Sequence, residues 1–449
     1  IYMKRRIESL LKEWMVRPDH KPLLVRGARQ VGKTFSVKEF GLRCFRNLVL
    51  FDLERQRRVH AVFAGDLDPG ILLPQLEVQA GQRIVPGETL LFLDEIQACP
   101  RAIMALRYFC EQMPQLHVIA AGSLLEFAMK DLPFPVGQVE FLWMFPMTLS
   151  EFLLARGKDI LEEQRPDLGA TLPLPEATHQ SLLDEVRRYF VVGGMPEAVR
   201  VFCDSNSMVE TARVHRTLTE AYEEDLARYA GRVDRDCLAR VFEQIPARVG
   251  AQVKYTPLCP EKRVEIIKAA LRVLEQALVI RRVTVTAARG LPLGAGASDK
   301  VFKCVFVDVG LMRHMCGITA DAVLGRNDLL DTFRGALAEQ FVGQEMLAEG
   351  GGSENGKLYY WARGERNSSA EVDYVMVRGG QVLPVEVKSG PAGRLQSLHL
   401  FLREHPDVQQ GLVLNTANTA ALYEQKLRFL PLYTRLGDMA FPSRLRVFA

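Results

Sequence analysis

Gly27-Ala28-Arg29-Gln30-Val31-Gly32-Lys33-Thr34 decides how the first third of this chain is read. The octet follows the apolar run Leu23-Leu24-Val25 and opens a helical pattern from Lys33 to Phe40. Its GxxxxGK[ST] spacing therefore lies in the strand-loop-helix context that a phosphate loop requires. Glycines in such a loop let successive backbone N–H groups turn inward on phosphate oxygens, and the helix N-terminus adds positive potential. Lys33 places a point charge near the β- and γ-phosphates of a bound nucleotide, and Thr34 is placed to hold Mg²⁺.

Working outward, Leu90-Leu91-Phe92-Leu93-Asp94-Glu95 is an apolar strand that delivers two acids at its carboxyl end, where ligands bind in open α/β sheets. Asp94 is expected to orient the Mg²⁺ shell, and Glu95 to polarise the attacking water, which separates a hydrolase from a simple nucleotide binder. Ser123 follows the next apolar run, Val118 to Ala121. It reads either as a donor to the γ-phosphate or water, or as a helix cap. With Leu48-Val49-Leu50-Phe51, these continuous runs, separated by helical patterns, are the signature of a parallel sheet covered on both faces. The expected catalytic set is Lys33, Glu95 and Ser123; Gly27 to Thr34 bind ATP, and Thr34 and Asp94 hold the metal.

The whole chain has 449 residues, 57 Lys+Arg against 54 Asp+Glu and a net charge of +3, with 48% hydrophobic and 25% charged residues. That composition excludes fibres and disorder, and at about 150 residues per domain the length asks for roughly three domains. Charge balance excludes a global electropositive field, so nucleic-acid affinity has to come from local basic surface. Glu126, Lys130 and Glu140 cut the longest apolar runs below the length of a membrane span. The basic start Met3-Lys4-Arg5-Arg6 is followed by Glu8, Lys12 and Glu13 rather than an apolar signal region, so a soluble cytoplasmic protein without membrane contact is expected. The eight cysteines form no CxxC pair and suit reduced core thiols.

Beyond Ser150-Glu151-Phe152, the Pro-bearing stretch around Arg165-Pro166, Pro173 and Pro175 reads as a linker. Residues 182 to 278 are helical in pattern, with Ile267, Leu271, Leu274 and Leu278 on one face. Arg281 to Thr286 and Val301 to Val307 then form a hairpin around the Gly290 to Gly296 turn, and helix plus hairpin reads as a winged helix. Residues 261–303 carry nine Lys/Arg against four acids, a candidate DNA face. From about Leu311 the chain holds a helix through Glu339, a hairpin from Val372 to Val387 around Gly379-Gly380, and a strand at Gly411 to Leu414, a second α/β domain. Asp373 and the Glu386-Val387-Lys388 triplet lie on the two hairpin arms, with Glu386 and Lys388 on one face. Glu339, Asp373 and Glu386 are candidate ligands for a second Mg²⁺ or Mn²⁺, and Lys388 a candidate to position or deprotonate water.

Four segments carry a resemblance. GARQVGKT, LLFLDEIQ, HVIAAGSLLE and PVGQVEFLWMFPMTLSEFL resemble the AAA-type P-loop ATPases of bacteria and archaea that bear a C-terminal domain of unknown function. Tyr189 to Ala198, Glu371 to Tyr374 and Pro384 to Gly390 resemble that family's later segments. The resemblance implies ATP hydrolysis, and where the family commonly has a basic residue after the Gly of the PVG loop this chain has Gln138, so no arginine finger is carried over. Helix Glu339, strand Asp373 and the Glu386-x-Lys388 strand resemble the PD-(D/E)xK restriction-endonuclease-like fold. The fold expected is thus α/β: a P-loop, AAA-like parallel sheet over 1–165, a helical and winged-helix domain over 180–310, and a restriction-endonuclease-like domain over 311–449. Expected ligands and partners are ATP, Mg²⁺ and DNA; self-association is left open. Two functions compete: a DNA-acting ATPase with a live nuclease site, and an ATP-driven switch or scaffold whose nuclease-like domain only binds.

Overall fold

The computed structural model describes residues 3–123, 125, 137–229, 231, 233–295, 297–325, 331–350, 357–363, 370–390 and 395–437. Glu126, Lys130 and the Pro135-Val136 pair quoted above lie outside the described residues. The chain divides into two compact units, residues 4–145 and residues 146–449 together with 1–3.

In the first unit, β1 (Leu23–Arg26), β2 (Asn47–Asp52), β3 (Thr89–Asp94), β4 (His117–Gly122) and β5 (Glu140–Trp143) form a five-stranded sheet in the order β2-β3-β4-β1-β5. Every pairing is parallel. β1 and β3 are buried at each position, as unbroken apolar runs demand when both faces of a sheet are covered. Leu24, Val49, Leu91 and Val118 of the strands share a core with Leu72, Ile103, Leu106 and Phe109 of the helices. Each such side chain contributes roughly 1.5–3 kcal/mol by leaving water. The phosphate-loop helix runs Lys33–Cys44, and β5 was not foreseen because Glu-Phe-Leu-Trp is too short to show a period.

In the second unit, helices occupy most of residues 149–276 and an eight-stranded sheet follows. Its strands are β6 (Ile280–Thr286), β7 (Ser298–Phe306), β8 (Leu358–Ala362), β9 (Glu371–Arg378), β10 (Gln381–Val387), β11 (Gly411–Asn415), β12 (Ala420–Leu422) and β13 (Leu427–Pro431). The order is β12-β13-β11-β10-β9-β8-β6-β7. The β9–β10 hairpin has its expected two-residue turn, Gly379-Gly380, both at positive φ. Two expectations are corrected. The β6–β7 hairpin forms, but not as a free-standing wing: the other edge of β6 pairs in parallel with β8, so the hairpin is the end of the C-terminal sheet. Nor is the Pro-bearing stretch after Arg165 a free linker. Arg165 Nε donates to Tyr433 O at 2.7 Å, Arg428 Nη2 to Ala170 O at 2.7 Å, and Asn418 Nδ2 to Leu174 O at 2.7 Å. Prolines made that segment look loose, whereas its side-chain and backbone groups strap it to the strands around β13.

All eight cysteines are free, and among the described residues no helix is long and apolar enough to cross a membrane.

Candidate functional site

β1, β4 and β3 lie side by side in the middle of the first sheet, so their carboxyl ends bring together the phosphate loop, Ser123 and the Asp94-Glu95 pair. The loop turns into its helix through Gly32 at φ 96°, a left-handed conformation that costs a glycine nothing. Lys33 is buried, and its Nζ donates to Gly27 O at 2.9 Å and Ala28 O at 2.8 Å within the loop. Burial pushes the Lys33 ammonium down to about 8 against the pull of Glu95 and Asp94. Thr34 Oγ1 donates to Asp94 Oδ2 at 2.7 Å, which ties the loop to the end of β3. Asp94 is buried and pushed up to about 6, first by desolvation, with the Thr34 hydrogen bond opposing. Its Oδ1 is buried with no hydrogen-bond partner among the described residues.

Glu95 leaves β3 at φ 48°, a left-handed conformation that is uncommon outside glycine and here turns the chain at the strand end. Gln97 Nε2 donates to Glu95 Oε2 at 2.5 Å, so the carboxylate is held by an amide two residues on. Ser123 is buried directly after β4. Two contributors went unread in the sequence. Gln97 belonged to the quoted LDEIQ run without a role. Arg5, by sequence only part of a basic start, donates from Nη1 to Val31 O at 2.9 Å and from Nη2 to Phe145 O at 2.8 Å, bracing the outer bend of the loop. Gln138 donates from Nε2 to Glu111 Oε1 at 2.6 Å.

In the second unit, Glu339, Asp373, Glu386 and Lys388 do converge, together with Glu371, to which the sequence pattern assigned no role, and Lys303, which belongs by sequence to the basic face. Lys303, only 1% exposed, sends Nζ to Glu339 Oε1 at 2.7 Å, to Glu371 Oε1 at 2.5 Å, and toward Asp373 Oδ1 at 3.5 Å. Lys388 Nζ donates to Glu386 Oε1 at 2.6 Å. Desolvation, then Asp373, push Glu339 and Glu386 above the ordinary carboxylate range. Burial would lower Lys303, but Glu339, Asp373 and Glu371 outweigh it and hold the ammonium above its usual value. Period-two alternation in Glu371-Val372-Asp373 puts Glu371 beside Asp373, a signal that was available. With its ammonium among these acids, Lys303 is lost to the basic face of residues 261–303. Lys262 pairs with Asp234 at 2.5 Å, and Arg282 pairs with Glu275 and lies over the Phe302 ring.

Comparison with known proteins fits this division. Residues 19–153 match the profile of an AAA domain, residues 183–322 that of a domain of unknown function (DUF8612), and residues 334–434 that of another (DUF4143). The chain therefore carries an AAA-type P-loop domain. Among solved structures, AMPPCP-bound DnaA from Aquifex aeolicus is 14% identical over 62% of this chain and 89% of its own, with a TM-score of 0.29. The RuvB Holliday junction branch migration motor of Thermotoga maritima is 14% identical over 62% and 88%, with a TM-score of 0.28. No curated protein matches the chain.

Proposed function

We propose that the protein is an ATP hydrolase whose nucleotide state acts on nucleic acid through the second unit. The observation that carries the hydrolase reading is the junction of loop and strand: Thr34 bound to one oxygen of Asp94, the other oxygen buried without a partner, and Glu95 turned out beside it. A buried, unpartnered carboxylate oxygen next to a threonine hydroxyl fits the Mg²⁺ that accompanies ATP. When bound, that ion would neutralise charge on the β- and γ-phosphates. Lys33 exchanges its loop carbonyls for phosphate oxygens. Glu95 orients the attacking water, Gln97 fixes the Glu95 carboxylate, and Ser123 donates to the γ-phosphate or the water.

For the second unit, the layout of helix Glu339, strand Asp373 and the Glu386-x-Lys388 strand supports a nuclease-like module. Arg263, Arg272 and Arg289 are exposed and open to a phosphate backbone. The test of the hydrolase reading separates two phenotypes. Lys33→Ala loses nucleotide binding, whereas Glu95→Gln retains ATP and loses turnover by roughly 10²–10⁴-fold, the range of general-base removal. Near-wild-type turnover by Glu95→Gln, with binding unchanged, sinks the assignment.

A further inference from the structure

The carboxylates of the second unit have their counter-charges already supplied by the chain. Glu339 Oε1 and Glu371 Oε1 accept from Lys303, and Asp373 Oδ1 faces the same ammonium. Glu371 Oε2 accepts from Gln252 Nε2 at 3.2 Å, Asp373 Oδ2 from the Val387 N–H at 2.8 Å, and Glu386 Oε1 from Lys388 Nζ. A Cβ at Gly250 would stand 3.0 Å from Glu339 Oε2, so the Gly250 loop lies close to that oxygen. Glu386 Oε2 is the one oxygen of the four side chains that is buried with no hydrogen-bond partner among the described residues. Mg²⁺ and Mn²⁺ keep most of a water shell and need one or two open carboxylates within it. Glu386 Oε2, on a side chain only 7% exposed, does not supply such an open carboxylate. Among the described residues, no group of three or more His, Cys, Asp or Glu side chains is disposed to hold a metal ion.

We propose that Lys303 is the resident cation of this cluster: its ammonium stands between Glu339, Glu371 and Asp373 in place of a divalent metal, leaving a nuclease-like arrangement that neither binds metal nor cuts. A buried ammonium is costly unless paired, and here three acids offset the desolvation of one lysine. The substitution is not chemically neutral. An ammonium neutralises carboxylates and fixes their geometry, but it has no coordination position at which to acidify a water, the step by which a metal supplies hydroxide. The chain thereby gains a cluster that is assembled at any metal concentration.

The inference rests on the nuclease-like reading of these residues, and the experiment separates the two. Mn²⁺ binding to the full chain without nucleotide is measured by calorimetry and electron paramagnetic resonance for wild type, Lys303→Met, Lys303→Met/Glu371→Gln and Lys303→Met/Asp373→Asn. The phosphate loop is the same in all four, so differences report the second unit. Lys303→Met should bind one Mn²⁺ per chain more than wild type and melt at a higher temperature with Mn²⁺ than without, whereas wild type should not respond. Asp373→Asn in that background should abolish the gain. Lys303→Met/Glu371→Gln, which removes an acid together with the ammonium, guards against misfolding and should also take up the ion. Wild type that binds more Mn²⁺ than Lys303→Met/Asp373→Asn overturns the proposal, as does a folded Lys303→Met/Glu371→Gln protein with no added Mn²⁺. Uptake by the variants without cleavage of plasmid DNA upholds Lys303 as the resident cation and removes the nuclease-like reading instead.

Discussion

At the scale of single residues, the candidate nucleotide site holds two groups, Lys33 and Asp94, away from their ordinary protonation behaviour. Asp94, pushed up to about 6, must be ionised to accept a cation, so its contribution is lost as pH falls through that value. Lys33, pushed down to about 8 by burial, must be charged to meet phosphate, so its contribution is lost as pH rises through that value. Mg²⁺-supported ATP affinity should therefore peak between about pH 6 and about pH 8. Asp94→Asn should remove the acid limb of a titration of Kd against pH, and Lys33→Arg should move the alkaline limb upward. A Kd that stays flat across that span would contradict the site. Lys33, Thr34, Asp94 and Glu95 were legible because motif spacing fixes their places relative to a strand and a helix. Arg5 and Gln97 were not, because a guanidinium reaching the Val31 carbonyl and an amide reaching back to Glu95 obey no local pattern. Lys303 was misplaced for a related reason: charge counting along the chain cannot tell a solvated lysine from one buried among acids 36 to 70 residues away.

At the scale of elements, strands whose burial is continuous declared themselves and strands whose role is set by remote partners did not. β1 to β4 were readable as apolar runs, and the β9–β10 hairpin from its Gly379-Gly380 turn. β6 and β7 were also found as a hairpin, yet the sheet they join could not be seen, since β8 follows β7 by more than fifty residues and pairs with β6 in parallel. Loop closure of that length leaves no periodic trace. Residues 149–165 likewise sit in the second unit, where Arg165 Nη1 donates to Ser150 Oγ at 2.6 Å and Arg435 pairs with Glu162 at 3.1 Å. A consequence for dissection follows. A fragment of residues 311–449 lacks β6, β7 and Lys303, leaving buried Glu339 without its ammonium. Stripping one partner from a buried pair costs roughly 3–5 kcal/mol. Together with the lost strands, that is comparable to the about 5–15 kcal/mol that holds a domain folded. This fragment should be unfolded or aggregated, whereas residues 146–449 should melt in one cooperative transition by circular dichroism. A well-folded 311–449 fragment would mean that β6 and β7 are dispensable to the sheet.

At the scale of the whole molecule, the net charge of +3 spread over 449 residues leaves no long-range attraction for a polyanion, so binding to DNA depends on a few local groups. The nine basic residues of 261–303 promised more than the fold delivers. Lys303 is committed to the carboxylate cluster, Lys262 to Asp234 and Arg282 to Glu275. Reversing Arg282 would break its contact with the Phe302 ring and its ion pair, and would report on folding as much as on DNA. Arg272 and Arg289 are exposed, which makes them the better probes. If both meet phosphates, Arg272→Glu/Arg289→Glu should weaken binding about equally for unrelated duplexes and lower the slope of log K against log salt by about 2, since each neutralised phosphate contributes about 0.9. Arg282→Gln should instead lower the melting temperature while leaving that slope nearly unchanged. An unaltered slope in the Arg272/Arg289 variant, with affinity retained, would assign these residues to a solvated surface. The action proposed for the second unit would then have to be exerted on a partner other than nucleic acid.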